Sequence, residues 1–309
     1  MKDYGTINDI IRVMKRAVRY METGSRENLR CVHLDASGEI VSTNGYMMYR
    51  QRYAYVGPNI DIPGELAKRI SKCKVTGNGG PARIELDGDE VKVTIENSGK
   101  EFKGKAQSIG FCRYDFFFKN EHKAIARDVE NATLRRFAEI FSKNGADMML
   151  ATTKDGTLEI IGGTSTFTGS EFVENAVEGE SVELAINPRY LRNVLMSLDD
   201  KVTVEFGKKD KPLMLSSGAI DILLMPLHDI CQELREIATE TRKQRKADEK
   251  KGESMVKNIG TLEIEGKHVC ITGVMPGMTR DMAFKRLEGV GGIPSRNFTK
   301  ATQVLVAEN

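Results

Sequence analysis

The sequence predicts an α+β fold: two antiparallel-sheet domains with two helices each, followed by a shorter, partial α/β segment. Three observations carry that prediction. Residues 6 to 118 and 123 to 230 read as one unit written twice, each in the order helix, strands, helix, strands. The strands come in hairpins, and two helices per unit are too few for an alternating parallel arrangement. The helices carry an apolar stripe opposite a basic one.

The first helix is predicted over Ile7 to Met21. At about 100° per residue, Ile7, Ile10, Ile11, Met14, Val18 and Met21 fall on one side. Arg12, Lys15, Arg16 and Arg19 fall almost opposite. Its unit's second helix starts near Ile62-Pro63, where proline is tolerated because the first turn has no helical acceptor for its missing N–H. The counterpart starts at Asn187-Pro188, 125 positions later, with leucine three residues on in both, Leu66 and Leu191. Lys68, Arg69 and Lys72 stand off the Leu66, Ile70 and Cys73 face, and Arg135, Arg136 and Lys143 off Leu134, Phe137, Ile140 and Phe141. The fourth helix follows more weakly, with Arg189 and Arg192 beside Leu191, Val194, Leu195 and Leu198.

Strand pairs are expected at 29–34 with 39–43 around Ala36-Ser37-Gly38, and at 148–152 with 157–161 around Lys154-Asp155-Gly156. Further pairs are expected at 82–86 with 90–96 and at 202–206 with 212–216. From Cys231 the chain turns dense in both charges; its first part can extend as a helix and the KADEKKGES portion reads as a solvated linker. A compact segment resumes at Thr261 with a strand 268–272, a helix 279–290 and a strand 303–307. The expected boundaries are 1–119, 120–230, a linker 231–260 and a final segment 261–309.

With 46 basic against 44 acidic residues, the chain is no polycation, so any contact with nucleic acid comes from local segregation of charge. Lysine and arginine on helices suit sequence-independent phosphate contact. The five cysteines, Cys31, Cys73, Cys112, Cys231 and Cys270, show no metal-ligand spacing, and an odd number fits a reducing cytosol. No cofactor or metal is expected. No signal-peptide core or membrane span is read, so the expected localisation is cytoplasmic. The four histidines form no catalytic pattern, Gly77-Asn78-Gly79-Gly80 lacks a phosphate-loop lysine, and Lys154-Asp155-Gly156 lacks the spacing of an adenylation motif. A non-catalytic protein is expected.

Three strings carry a resemblance. Ser42-Thr43-Asn44-Gly45-Tyr46-Met47-Met48, Phe111-Cys112-Arg113-Tyr114-Asp115 and Ile222-Leu223-Leu224-Met225-Pro226-Leu227 resemble, in order, motifs of the middle and last domains of the bacterial sliding clamp, the β subunit of the replicative DNA polymerase. The resemblance implies a clamp lacking the first of the family's three domains: a DNA polymerase processivity factor that encircles duplex DNA. Its basic helices would line the hole. A pocket for partner peptides of polymerase and clamp loader would use Thr43, Gly45, Tyr46, Met47 and Met48 with Met225, Pro226 and Leu227. Asn44, Met47 and Cys112 depart from the family's acidic residue, arginine and proline. Six such domains close the family's ring, so two per chain imply a homo-oligomer of three. The alternative is a clamp-like adaptor that binds DNA ends or replication proteins without closing a ring.

Residues 266–273, 278–281, 291–292 and 302–307 resemble the first half of a BRCT domain of the kind in bacterial NAD-dependent DNA ligases. That resemblance implies a DNA 5′-phosphate site at Thr272, Gly273 and Arg280.

Overall fold

The computed structural model describes residues 9–74, 81–107, 110–119, 121–154, 156–164, 167–173, 177–208, 211–230, 232–258, 266–272, 280–289, 291–295 and 304–307. The chain divides into two compact units, Met1–Ile237 and Ala238–Asn309.

The first repeat runs α1 (Ile10–Ala17), β1 (Cys31–Asp35), β2 (Glu39–Thr43), β3 (Met47–Arg52), β4 (Ile60–Pro63), α2 (Gly64–Ser71), β5 (Ala82–Asp87), β6 (Glu90–Ile95) and β7 (Lys100–Lys105). Asp9 opens α1 by accepting from the N–H groups of Ile11 and Arg12, both at 3.1 Å. The helix is shorter than its stripe predicts: Arg19 and Tyr20 bond back only three residues, to Arg16 and Ala17, so the last turn tightens and ends. Ile7 lies outside the described residues.

The second repeat runs β8 (Ala124–Glu130), α3 (Asn131–Lys143), β9 (Met149–Lys154), β10 (Thr157–Thr164), β11 (Phe167–Val173), β12 (Val177–Gly179), β13 (Val182–Ile186), α4 (Pro188–Leu195), β14 (Lys201–Phe206), β15 (Leu213–Ser217) and β16 (Ile220–Leu224). Asn187 caps α4 at 2.9 Å to the Arg189 N–H, with Pro188 in the first turn. The Asn131 amide donates to the carbonyls of Leu195, Leu198 and Asp199, tying the start of α3 to the end of α4.

Strands of both repeats merge into one nine-stranded antiparallel sheet in the order β12-β8-β14-β15-β16-β3-β2-β1-β4. The seam is β16 against β3, with Ile222 opposite Tyr49 and Leu223 opposite Met48. Both repeats lie within the first compact unit. Two smaller antiparallel sheets, β5-β6-β7 and β11-β10-β9-β13, complete the repeats.

The large sheet has two differently covered faces. Ile40, Tyr49, Ile62, Leu215, Ile222 and Leu224 belong to the main core with the apolar stripes of the helices. On the reverse face Val41, Met48, Met214 and Leu223 pack beneath Phe111, Cys112, Tyr114, Phe117 and Phe118 of the chain joining the repeats. That connector is pinned. Phe111 stacks on His33 at 4.9 Å and donates its N–H to Asp61 at 3.1 Å, while the Arg50 guanidinium lies 3.8 Å from the Phe118 ring centre.

After the sheet comes α5 (Gln232–Asn258). It includes the KADEKKGES stretch that the sequence marks as linker. Lysine, glutamate, arginine and alanine are strong helix formers, and charge density solvates a helix as readily as a coil. Its 27 residues span about 40 Å at 1.5 Å per residue. The division between the two compact units falls inside this helix.

The second unit also contains β17 (His268–Thr272), α6 (Arg280–Gly289), β18 (Ile293–Ser295) and β19 (Val304–Ala307). Its three strands are parallel in the order β18-β17-β19, and α6 buries Ala283, Phe284 and Leu287. Parallel neighbours with a helical crossover make this part α/β, against the antiparallel first unit.

Candidate nucleic-acid interface and docking pocket

Helices α1, α2 and α4 pack directly on the large sheet and α3 packs on α4, so the four share the main-core side. Their apolar stripes are consumed there, which turns most of the predicted cations outward. Arg12, Lys15, Arg19, Arg69, Lys72, Arg135, Arg136, Lys143 and Arg189 are exposed, and Lys68 and Arg192 half-exposed.

The repeats differ in how far these charges are neutralised. Among the described residues no acidic side chain lies within ion-pair distance of Arg12, Lys15 or Arg19. In the second repeat Lys143 meets Glu139 at 2.8 Å and Arg189 meets Asp147 at 3.9 Å. Lys68 meets Glu65 at 2.9 Å, and Arg69 bonds the Lys103 carbonyl at 3.2 Å beside Phe102. Such exposed pairs are weak and screened by salt, so they reduce the local field without abolishing it.

Arg16 departs from the predicted stripe. Its side chain is only 13% exposed and reaches toward Asp199 of the second repeat at 4.0 Å. It sits beside Tyr20, which stacks on Tyr49 at 5.3 Å and donates to Ser197 Oγ at 2.8 Å. Burial pushes the Tyr20 phenol up to about 12, with the Ser197 bond and the Arg19 and Arg16 charges opposing it. Arg16 is thus part of the contact between repeats.

The residues expected to line a pocket come from both repeats. Asn44 Oδ1 accepts from the N–H groups of Tyr46 and Met47 at 3.0 and 2.9 Å, and Thr43 Oγ1 accepts from Gly45 at 3.0 Å. Gly45 holds φ +81°, which a side chain rarely adopts. This tight turn presents Tyr46 to solvent at 53% exposure, next to the exposed Met225 and the half-exposed Pro226 and Leu227. Met225 N–H donates to the Tyr46 carbonyl at 2.9 Å, and Leu227 N–H to the Ala185 carbonyl at 2.8 Å.

Two expected lining residues are displaced. Met47 and Met48 are 3% and 8% exposed and fill opposite faces of the sheet, because alternation along β3 leaves neither on the surface. Thr43 is buried too, its hydroxyl donating to the Met47 carbonyl at 2.8 Å. Sequence reasoning missed Tyr190, whose ring stacks on Tyr46 at 5.6 Å and 24°, and Arg26, whose guanidinium sits 5.7 Å from the Tyr46 ring centre. The aromatic after Asn187-Pro188 was the available signal for Tyr190; no local pattern marks Arg26.

In the second unit Thr272 ends β17 and Arg280 opens α6, while Gly273 lies outside the described residues. Among the described residues no group of three histidine, cysteine, aspartate or glutamate side chains could hold a metal ion, and no helix is long and apolar enough to cross a membrane.

No family model matches this sequence, and no curated protein matches it. Solved structures do. DNA polymerase III subunit beta from Borrelia burgdorferi, in complex with a natural product, matches with a TM-score of 0.63 at 18% identity over 74% of this chain and 65% of its own. The DNA polymerase sliding clamp from Bacillus subtilis gives 0.63 at 16% identity over 72% and 62%. The Helicobacter pylori beta clamp bound to DNA ligase peptide gives 0.58 at 13% identity over 73% and 68%. The chain therefore spans roughly two thirds of the length of these proteins or slightly less. At such identities the likeness is one of architecture: this chain has the mixed α+β fold of the bacterial sliding clamps.

Proposed function

We propose that this chain is a sliding-clamp-like processivity factor, three copies of which place six repeats around duplex DNA and tether a polymerase to it. The observation that carries the reading is the shared side of the four helices, where the un-neutralised Arg12, Lys15 and Arg19 stand opposite a fully consumed apolar stripe. Cations spread along helices grip phosphates without reading bases, as a protein that must slide requires. The mechanism is topological and non-catalytic. Arg135, Arg136, Lys143, Arg189 and Arg192 would contribute less, since acids sit among them.

Tyr46, Tyr190, Met225, Pro226 and Leu227 form the docking pocket in this reading, suited to a short apolar peptide of a polymerase or clamp loader. The peptide-bound Helicobacter pylori clamp supports it. The second unit, through Thr272, Gly273 and Arg280, would contact a DNA 5′ phosphate; a hydroxyl at a strand end and a guanidinium at a helix start are suitable anion ligands. A soluble cytoplasmic location accompanies the reading.

The test is retention on DNA. Closed circular duplex is expected to hold the protein through a salt wash that strips it from the same DNA linearised. Replacing Arg12, Lys15 and Arg19 together by alanine is expected to lower the slope of log affinity against log salt by about 2–3. Equal loss from circular and linear DNA would overturn encirclement. A second reading, an adaptor that keeps the pocket but closes no ring, is favoured by the β7 edge, whose outer face carries Glu101, Lys103 and Lys105 paired with Lys92, Glu90 and Asp89 at 2.8, 3.7 and 2.8 Å.

A further inference from the structure

A polar cluster rich in donors is buried between α1 and the large sheet. α1 lies on β2 and β3, and the Ser42 hydroxyl fixes its end by donating to the Ala17 carbonyl at 2.8 Å. Arg16 and Tyr20 lie one turn apart at that end, while Tyr49 and Gln51 are two apart on β3 and share its core face. The Tyr20 ring stacks on Tyr49 at 5.3 Å, so the four side chains converge. Tyr20, Tyr49 and Gln51 are fully buried, and the Arg16 side chain nearly so.

Hydrogen bonds account for only part of this cluster. Tyr20 donates to Ser197 Oγ at 2.8 Å, and Tyr49 donates to Gln51 Oε1. Two donors are left over: among the described residues neither Arg16 Nη1 nor Gln51 Nε2 has an acceptor, although both atoms are buried. Arg16 Nη2 is 4.0 Å from Asp199 Oδ1, longer than a charge-assisted hydrogen bond, and that carboxylate is 61% exposed. Burial raises both phenols, and the Arg16 charge opposes it at each, which places the guanidinium beside the stacked pair. A buried cation short of a counter-charge and a buried amide short of an acceptor each cost free energy. One negatively charged acceptor relieves both.

We infer that Arg16 Nη1 and Gln51 Nε2 hold a small monovalent anion of the chloride kind between α1 and β3. Water supplies an acceptor but no charge. A DNA phosphate or a partner's carboxylate cannot reach Gln51, which has no exposed surface. A free polyatomic phosphate brings more oxygens than two donors satisfy, whereas a monatomic anion needs no more than these. The part of the Arg16 side chain that stays exposed, beside Asp199, gives a path from solvent. Through Tyr20 the cluster reaches Ser197 at the end of α4, so the anion stiffens the contact between the repeats. The inference is independent of the clamp reading. It makes the contact between repeats depend on which anion is present, and not on ionic strength alone.

The experiment compares thermal unfolding of the full chain in sodium chloride and in sodium gluconate at constant ionic strength, with the chlorine NMR line width as a direct readout of binding. The midpoint is expected to rise saturably with chloride, by about 3–5 °C at about ten times the dissociation constant, and the chlorine line to broaden with added protein. Gln51→Glu keeps the acceptor for Tyr49 and sets a carboxylate beside the guanidinium. It is expected to lose the chloride response, with a midpoint in gluconate at least as high as that of the parent in chloride. Arg16→Gln removes the charge and is expected to lose both the chloride response and the excess line width. A parent midpoint equal in the two salts would overturn the site, and is the result expected of a Gln51 amide turned to give its oxygen to Arg16. A chloride response that survives in either variant would place the anion elsewhere and overturn it too.

Discussion

The β16–β3 seam inside the large sheet and the free β7 edge of the smaller sheet differ in how their faces are covered. The seam is covered by helices on one side and by Phe111, Tyr114 and Phe118 on the other, and beside Leu223 and Met48 the reverse face carries Arg50, which meets Asp221 at 2.6 Å across the two strands. The edge β7 turns Phe102 and Gly104 toward the core and exposes its other face, where Lys103 meets Glu90 and Lys105 meets Asp89 of the preceding turn. The seam is covered on both faces; the β7 edge keeps one face charged and open to solvent.

That contrast can be broken or sharpened by substitution. The largest effect is expected for Leu223→Ala in the seam, where a buried side chain under the connector is lost: about 2–4 kcal/mol of unfolding free energy, read by urea denaturation of dilute protein. If the seam were no better covered than the edge, it would leave stability nearly unchanged. Next comes Phe111→Ala, which removes the stack on His33 and loosens the connector, expected at about 1–3 kcal/mol because the ring is only half-buried. Tyr20→Phe deletes the bond to Ser197 that links α1 to the second repeat; the expected loss is about 1 kcal/mol in the same denaturation curves. Smallest in stability is Lys103→Glu at the edge, expected within about 0.5 kcal/mol of the parent in unfolding. Were it to unfold the chain as Leu223→Ala does, the seam and the edge would not differ in kind.

Much of this architecture was legible in the chain. The glycine turns at Gly38 and Gly156 and the apolar stripes of Ile10, Met14, Leu66 and Leu191 lie within one element each, where local pattern is decisive. The seam strands were harder. β3 and β16 are covered on both faces, so they lack the clean alternation of a half-buried strand, and were visible only through their motif strings. Arg16 was placed with its neighbours because a single helical wheel cannot see Asp199, which approaches from 183 positions away. Met47 and Met48 were assigned to a surface because the strings that carry them flank a turn; once the turn is closed by Asn44, the strand begins at Met47 and both side chains go inward. That the helix of α5 continues through KADEKKGES is not legible, since composition alone cannot separate a solvated helix from a coil.

The Tyr46–Tyr190 stack draws its two rings from different repeats, and Tyr46 is held by a backbone bond from Met225. Whatever occupies that place binds both halves of the chain at once. By mass action such an occupant acts as a bolt across the seam: at a hundred times its dissociation constant it adds about 2.7 kcal/mol to the stability of the joined state. Occupancy of that place and the register of the two halves would then be one and the same equilibrium.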